Sequence, residues 1–228
     1  NKLDKLDNHR IKEESLRKVY YGIRYLRIGT ESTEIETKFL GYWIGLEYLF
    51  STPDAKQQTI QRIKTYFVKC HALIYFKRNL LEFHRTLFKS ELYKYLKSYS
   101  NNLYYLTEEN TYHTIIKNST FPILSNRAHY FLDRLQNPKL LRSTIERHEN
   151  NLMWNLTRIY RLRNEIVHDA ASKPNISIIT SHLRYYLTFI LNSIIDFIIE
   201  NQNNYSQEDR LKIEDYFILK SLEHDSMQ

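Results

Sequence analysis

The fold of this chain is decided by residues 39–50, which read FLGYWIGLEYLF. Apolar side chains occupy almost every position of this segment, so a helix over residues 35–50 would be apolar on nearly all sides. A helix of that kind is buried at the centre of a protein rather than laid on its surface. The sequence therefore predicts a central helix around which the other elements pack.

Amphipathic helices are predicted on both sides of this central segment. A helix over residues 10–27 should be followed by a break at 29–33, where Ser32 or Thr33 would cap the central helix. The whole chain has only 4 Gly and 4 Pro and shows no alternating strand pattern, so the predicted fold class is all-α, a helical bundle. The later helices are expected over residues 54–71 and 72–88 (or one longer helix), 90–100, 108–117, 126–136, 138–168, about 179–198, and from a Ser206 cap to about 223.

Composition and charge limit the possible functions. The net charge of +7 favours polyanionic partners. The single Cys70 excludes an internal disulfide framework and a multi-cysteine zinc site, and it suits a reducing cytoplasm. Charged and polar residues interrupt the apolar run at 183–199, so no membrane span is expected. Walker and G-x-S-x-G motifs are absent from the sequence, which leaves nucleotide hydrolysis and α/β-hydrolase chemistry without support.

The densest group of chemically capable side chains lies in residues 159–169, which read IYRLRNEIVHD. Within it Arg163, Asn164 and His168 form the pattern Arg-Asn-x3-His. A fixed cation beside an imidazole that titrates near neutral pH suits acid–base chemistry on a phosphodiester. On an ideal helix Asn164 and His168 share a face, whereas Arg163 and His168 lie about 140° apart. A bend near the helix end, or a second copy of the chain, would be needed to bring the last two together.

Three more residues are candidates because of their positions. Glu47 lies inside the apolar central helix, where a carboxylate is costly unless it is paired. Arg163 is its predicted partner, and the alternative is that Glu47 reaches solvent at an edge. Arg158 and Arg161 would either line an RNA path or simply solvate their helix, with the path favoured for Arg161. The histidines show no H-E-x-x-H or Cys/His ligand pattern, so no metal site is predicted.

Residues 160–169 resemble the HEPN superfamily, whose hallmark is Arg-x4-6-His, commonly with Asn, Asp or His after the Arg. Together with the upstream stretch FLGYWIGLE at residues 39–47, they are most similar to the Apea-like HEPN branch. The resemblance covers about residues 35–201, and its specific part is these two stretches. It implies a single HEPN-like helical-bundle domain over residues 1–228, with additional helices around that core.

The resemblance also implies a function, a metal-independent endoribonuclease that acts as a toxin or in antiviral defence by abortive infection. His168 would be the general acid or base for attack of a ribose 2′-hydroxyl on the adjacent phosphate. Arg163 would stabilise the developing negative charge, Asn164 would position the phosphate or the imidazole, and Glu47 would orient Arg163. No cofactor would be needed. The expected partners are RNA, a second copy that completes a composite cleft in a homodimer, and an antitoxin or sensor domain.

Two other functions remain open from the sequence, a non-catalytic HEPN module that binds RNA or a nucleotide and a structural helical protein. The intact Arg163, Asn164 and His168 favour the enzyme, because a pure binder has no need of a titrating imidazole. Family members paired with nucleotidyltransferase antitoxins often carry a Tyr two residues after the His. Ala170 stands there in this chain, which argues against that form of control. The start at Asn1 fits processing, trimming or the C-terminal part of a longer protein.

Overall fold

The computed structural model of the chain describes residues 2–7, 9–52, 58–100, 102–169, 176–206 and 208–226. In these ranges the regular elements are helices, and one isolated parallel bridge joins Ile11 to Leu211 without forming a strand. The predicted all-α class is therefore confirmed. The described residues divide into two compact units, a first unit within residues 1–70 and 152–227 and a second unit within 71–151. The single domain over residues 1–228 stays a prediction.

The helices of the described residues fall close to the predicted segments, with α2 at its predicted bounds. A π-helical turn at Ile63–Phe67 joins α3 to α4, so the expected alternative of one longer helix in this region is confirmed. Ala170, the position at which antitoxin-paired HEPN proteins often carry a Tyr, lies outside the described residues. In chain order the helices are α1 (Glu13–Glu31), α2 (Ile35–Phe50), α3 (Thr59–Arg62), α4 (Val68–Lys89), α5 (Glu109–Asn118), α6 (Pro122–Gln136), α7 (Pro138–Asp169), α8 (Ile176–Asn201) and α9 (Ile213–Ser226).

The first unit is built around α2, as the apolar sequence of this helix predicts. Helices α1 and α8 both pack against α2 and against each other. From α9, Phe217 stacks on Phe50 with 4.6 Å between ring centroids. Burial of this many large side chains supplies most of the stabilisation of the unit. The fully buried side chains of α2 are Phe39, Trp43, Leu46, Leu49 and Phe50.

The predicted break between α1 and α2 is present but starts later, at residue 32 instead of 29. The close approach of the two helices accounts for the glycines at 29 and 41. A Cβ atom at Gly41 would lie 3.1 Å from the backbone nitrogen of Gly29, and one at Gly29 would lie 2.5 Å from the Tyr42 ring. Glycine is needed at both positions because two backbones meet there, not because the chain turns. Helix α1 continues through Gly29 to Glu31, the break covers residues 32–34, and α2 begins after Glu34 without a side-chain cap from Ser32 or Thr33.

The apolar face predicted for the long helix near the C-terminus is confirmed in α8. The last helix differs, because α9 begins at Ile213 instead of directly after Ser206. The Ser206 hydroxyl oxygen accepts hydrogen bonds from the backbone N–H groups of Glu208 and Asp209, at 3.2 and 3.0 Å, in a turn that precedes α9. The buried side chains on the predicted face of α8 are Ile179, Leu183, Leu187, Ile190, Ile194 and Ile198.

The second unit has its own core, made by α5, α6, the part of α4 within this unit and the segment between α4 and α5. Tyrosine hydroxyls in this core have polar partners, as buried hydroxyls require. The Tyr112 hydroxyl donates to the Leu106 carbonyl oxygen at 2.6 Å, and the Tyr105 hydroxyl lies 2.8 Å from Nδ1 of His84. The helix predicted over residues 90–100 is shorter, a 3-10 turn at Leu92–Tyr95.

Candidate functional site on helix α7

Helix α7 carries the whole Arg-Asn-x3-His motif in its C-terminal half, within the first unit. It is α-helical without interruption from Pro138 to Asp169, so the predicted helix over 138–168 is confirmed. The Tyr160 ring packs on Trp43 of α2 with 5.9 Å between centroids. These contacts fix which face of α7 points inward. The buried residues of that face are Leu152, Leu156, Ile159, Leu162 and Ile166.

Arg163 lies on the inward side of the motif, whereas Asn164, four residues before His168, lies on the side of His168; both are half-buried. Nη1 of Arg163 donates a hydrogen bond to Oδ1 of Asn164 at 3.1 Å. Burial raises the pKa of the half-buried Glu47 carboxyl above its ordinary value, and the attraction of the Arg163 guanidinium opposes this rise. Glu47 and Arg163 therefore interact electrostatically, but among the described residues no ion pair or hydrogen bond joins them, so their predicted pairing stays a prediction.

Trp43 contributes to the environment of the same carboxylate. Its fully buried indole N–H interacts with Glu47 and lowers the pKa of that group, but less than Arg163 does. The indole nitrogen nevertheless makes no hydrogen bond of regular geometry with any described residue. The charged form of Glu47 is therefore favoured by Arg163 and Trp43 and disfavoured by burial.

The outward side of α7 presents His168 together with Arg161, Arg158 and Trp154. Their spacings of seven, three and four residues place them on one face of the helix, and all four side chains are exposed. Trp154 is 75% exposed, which is unusual for the largest apolar side chain. With Met153 and Thr157, Trp154 and the two arginines line a groove of about 270 Å³. Proton transfer, cationic charge and an aromatic ring are thus available along one surface.

Trp154 is the residue of this face that the sequence analysis missed. The available signal was its place in the series 154, 158, 161 and 168, which follows helical spacing on the polar side of α7. An aromatic residue is usually assigned to a helix's buried stripe, and only the inward face set by Leu156 and Ile159 shows that Trp154 lies opposite.

The structure does not bring Arg163 and His168 together within one chain. Arg163 is half-buried on the side of α2, and His168 is exposed on the outward face. The uninterrupted helix leaves the two positions about 140° apart around the axis. Of the two ways in which the sequence allowed them to meet, only a second copy of the chain remains compatible with this helix.

Other histidines and Cys70 occupy structural environments. In the second unit, Nδ1 of His71 lies 2.9 Å from Nε2 of His148. Burial lowers the pKa of His71 to about 3 and that of His148 to about 4. In the first unit, His182 lies 3.1 Å from the amide nitrogen of Asn155. Burial raises the pKa of the Cys70 thiol to about 12, so this residue is not a reactive nucleophile.

Searches for other kinds of site and for relatives give negative results. In the described part of the chain, no three His, Cys, Asp or Glu side chains are grouped closely enough to hold a metal ion. Within the same residues, no helix has the length and apolarity needed to cross a membrane. Comparison with protein-family models, with curated proteins and with solved structures finds no match.

Proposed function

We propose that the protein is a metal-independent endoribonuclease of HEPN type, with His168 in its active site. The observation that carries this proposal is the exposure of His168 on the same face of α7 as Arg161, Arg158 and Trp154. Arginine side chains pair with phosphate oxygens, and an exposed indole ring stacks on bases. A row of such groups beside an imidazole suits a single RNA strand.

In the proposed reaction His168 takes the proton from a ribose 2′-hydroxyl, which then attacks the neighbouring phosphorus. The bond to the 5′-oxygen of the next nucleotide breaks, and that oxygen takes up a proton. The products are a 2′,3′-cyclic phosphate and a 5′-hydroxyl. RNA supplies its own nucleophile, so the protein needs only proton transfer and charge stabilisation. DNA, which lacks the 2′-hydroxyl, would not be cleaved.

Arg163 enters this proposal through a second copy of the chain, and Asn164, on the face of His168, would position the phosphate or the imidazole. In one chain Arg163 and His168 lie about 140° apart around the axis of α7, so a complete site requires the motif of a partner. Glu47 would orient the Arg163 guanidinium, and the electrostatic attraction between the two groups supports this role. The resulting homodimer would have a composite cleft, and its biological role would be that of a cytoplasmic toxin or anti-phage effector controlled by an antitoxin or sensor.

The second candidate is a non-catalytic module that binds RNA or a nucleotide. The groove beside Trp154, Arg158 and Arg161 favours it, because a ring and two cations suffice for binding without any proton transfer. The two candidates differ in the role of His168. Its removal abolishes cleavage by an enzyme, whereas a binding module keeps most of its affinity.

The deciding experiment incubates the purified protein with mixed cellular RNA in EDTA. His168→Ala is the test variant, and His113→Ala, which removes an exposed histidine of the second unit, is the matched control. We expect cleavage by the wild type and the control and none by His168→Ala. Equal cleavage by all three proteins would refute the assignment of His168. Absence of cleavage by the wild type, with RNA binding retained, would favour the binding module.

A further inference from the structure

A cleft along α1 in the first unit has no role in the proposed cleavage reaction. Its volume is about 620 Å³, which falls in the range of roughly 300–1,000 Å³ typical of small-ligand sites. The side chains that line it are Glu13, Leu16, Arg17, Tyr20, Tyr21, Arg24 and Arg210.

The fold builds this cleft from two separate segments of the chain. Most of its lining residues recur at helical spacing along one face of α1. Arg210 comes from the segment before α9, which is held beside the start of α1 by backbone hydrogen bonds. The N–H of Lys12 donates to the Leu211 carbonyl oxygen, and the N–H of Leu211 donates to the Arg10 carbonyl oxygen, both at 3.0 Å. The position of Arg210 is therefore set by backbone structure.

Positive charge dominates the cleft, since three guanidinium groups face one carboxylate, that of Glu13. Arg17 and Arg24 are exposed and make no ion pair with any described residue. By contrast, Arg27 on the same helix is paired with Glu31 at 3.8 Å. Arginine donors in a fork geometry bind phosphate oxygens strongly, so Arg17 and Arg24 are available for an anionic ligand.

Aromatic rings accompany these cations. Tyr20 is 47% exposed. Tyr21 is held against Tyr48 of α2 with 4.7 Å between ring centroids. Buried Leu16 adds an apolar contact to the cleft. An exposed tyrosine ring stacks on a flat heterocycle, and such stacking tolerates any base. Cations and rings in one cleft are the two parts of a nucleotide site.

We propose that the α1 cleft binds a nucleotide, with its phosphates on Arg17 and Arg24 and its base against Tyr20. The nucleotide is either free or part of an RNA strand, since both present the same phosphate and base. A free nucleotide would make the cleft a regulatory site. A strand would make it a second contact for RNA, remote in sequence from α7.

The test measures binding to the full 228-residue chain by titration calorimetry. The probes are ATP and a short single-stranded RNA, the latter in a His168→Ala background so that the strand stays intact. The variants are Arg17→Gln/Arg24→Gln and the matched control Arg27→Gln. Loss of two charge-assisted contacts should weaken binding at least about tenfold, while the control should bind as the wild type does.

Each outcome has one meaning for the cleft. Binding of ATP that depends on Arg17 and Arg24 assigns a free nucleotide, and dependence seen only with RNA assigns a strand. No binding of either probe, or equal binding by the double variant, would overturn the proposal. If the wild type binds a probe through Arg17 and Arg24 but does not cleave RNA, only the proposed ribonuclease activity is refuted.

Discussion

Helix α7 carries two histidines, His148 and His168, that the fold places in opposite environments. His148 belongs to the second unit, where it lies against His71 and stacks on Tyr75 with 3.7 Å between ring centroids. His168 belongs to the first unit and is exposed on a face with arginine and tryptophan side chains. The difference teaches that residue type alone does not locate an active site. Burial makes one histidine part of a core and leaves the other able to meet a substrate.

The largest expected effect is the loss of cleavage in His168→Ala. A positioned general acid or base contributes roughly 10²–10⁴-fold to a rate, so the variant should lose about that much in kcat/KM. Because His168 is exposed, its removal should leave the thermal midpoint unchanged. His148→Ala should do the reverse and lower the thermal midpoint without abolishing cleavage. The measurements are the cleavage rate and the melting curve of each variant. If both variants changed in the same way, the contrast between the two histidines would be refuted.

The next effect is a loss of stability in acid, caused by the pair of buried His71 and half-buried His148. The folded-state pKa values of His71 and His148, about 3 and about 4, lie below the ordinary value of 6.5. Between pH about 6.5 and these folded-state pKa values, the unfolded chain binds more protons than the folded chain. The free energy of unfolding therefore has its full value above pH about 6.5 and falls as the pH is lowered. Each histidine contributes at most about 1.4 kcal/mol per pH unit.

Urea unfolding at pH 7.5, 6 and 5 measures this slope. Arg78 also lowers the pKa of both groups and stays charged throughout. In His148→Gln the stability should depend less steeply on pH than in the wild type. The same exchange at exposed His113 should not change the slope. An identical slope in all three proteins would show that the pair does not control acid stability.

A smaller effect is expected for RNA affinity in Trp154→Ala. Base stacking on an aromatic side chain contributes about 1–3 kcal/mol, so the dissociation constant for single-stranded RNA should rise roughly 5- to 150-fold. Stability should be unaffected, since the side chain is 75% exposed. Trp154→Phe, which keeps a ring, should retain most of the affinity. Fluorescence anisotropy with labelled RNA gives the values, and an unchanged affinity in the alanine variant would exclude stacking.

The smallest effect is the coupling of Glu47 and Arg163 across α2 and α7. Both groups are half-buried, so their interaction should contribute about 0.2–1 kcal/mol to stability. A double-mutant cycle with Glu47→Gln, Arg163→Gln and both together isolates this coupling. A coupling energy of zero would mean that Glu47 does not hold Arg163. Retained cleavage in Glu47→Gln together with reduced cleavage in Arg163→Gln would confine the role in catalysis to Arg163.

The sequence predicted α2 and α7 well because their signals are local. The apolar run of α2 and the periodic apolar positions of α7 decide both helix formation and burial. Predictions were wrong where distant segments decide the outcome. Gly29 lies inside α1, against α2, and the break starts three residues later than predicted. The cleft at Arg17 depends on Arg210, far away in the chain. No local pattern encodes either contact.

The candidate site shows the same division. Glu47 was recognised because a carboxylate in an apolar helix needs a partner, and Arg163 does interact with it. The separation of Arg163 from His168 followed from helical geometry alone. The exposure of Trp154 did not, because it depends on which face of α7 meets the core. Sequence patterns specify the periodicity of a helix, and tertiary contacts specify its rotation.

The contact between Gly29 and Gly41 also has a consequence for evolution. A methyl group at Gly29 would meet the Tyr42 ring at 2.5 Å, and Tyr42 lies on the same helix as Glu47. Larger residues would therefore have to displace α2. In homologous sequences these two glycines are expected to stay small together, and variation at one should be matched at the other. Such covariation would reflect the packing of α1 against α2 and would not indicate a catalytic role.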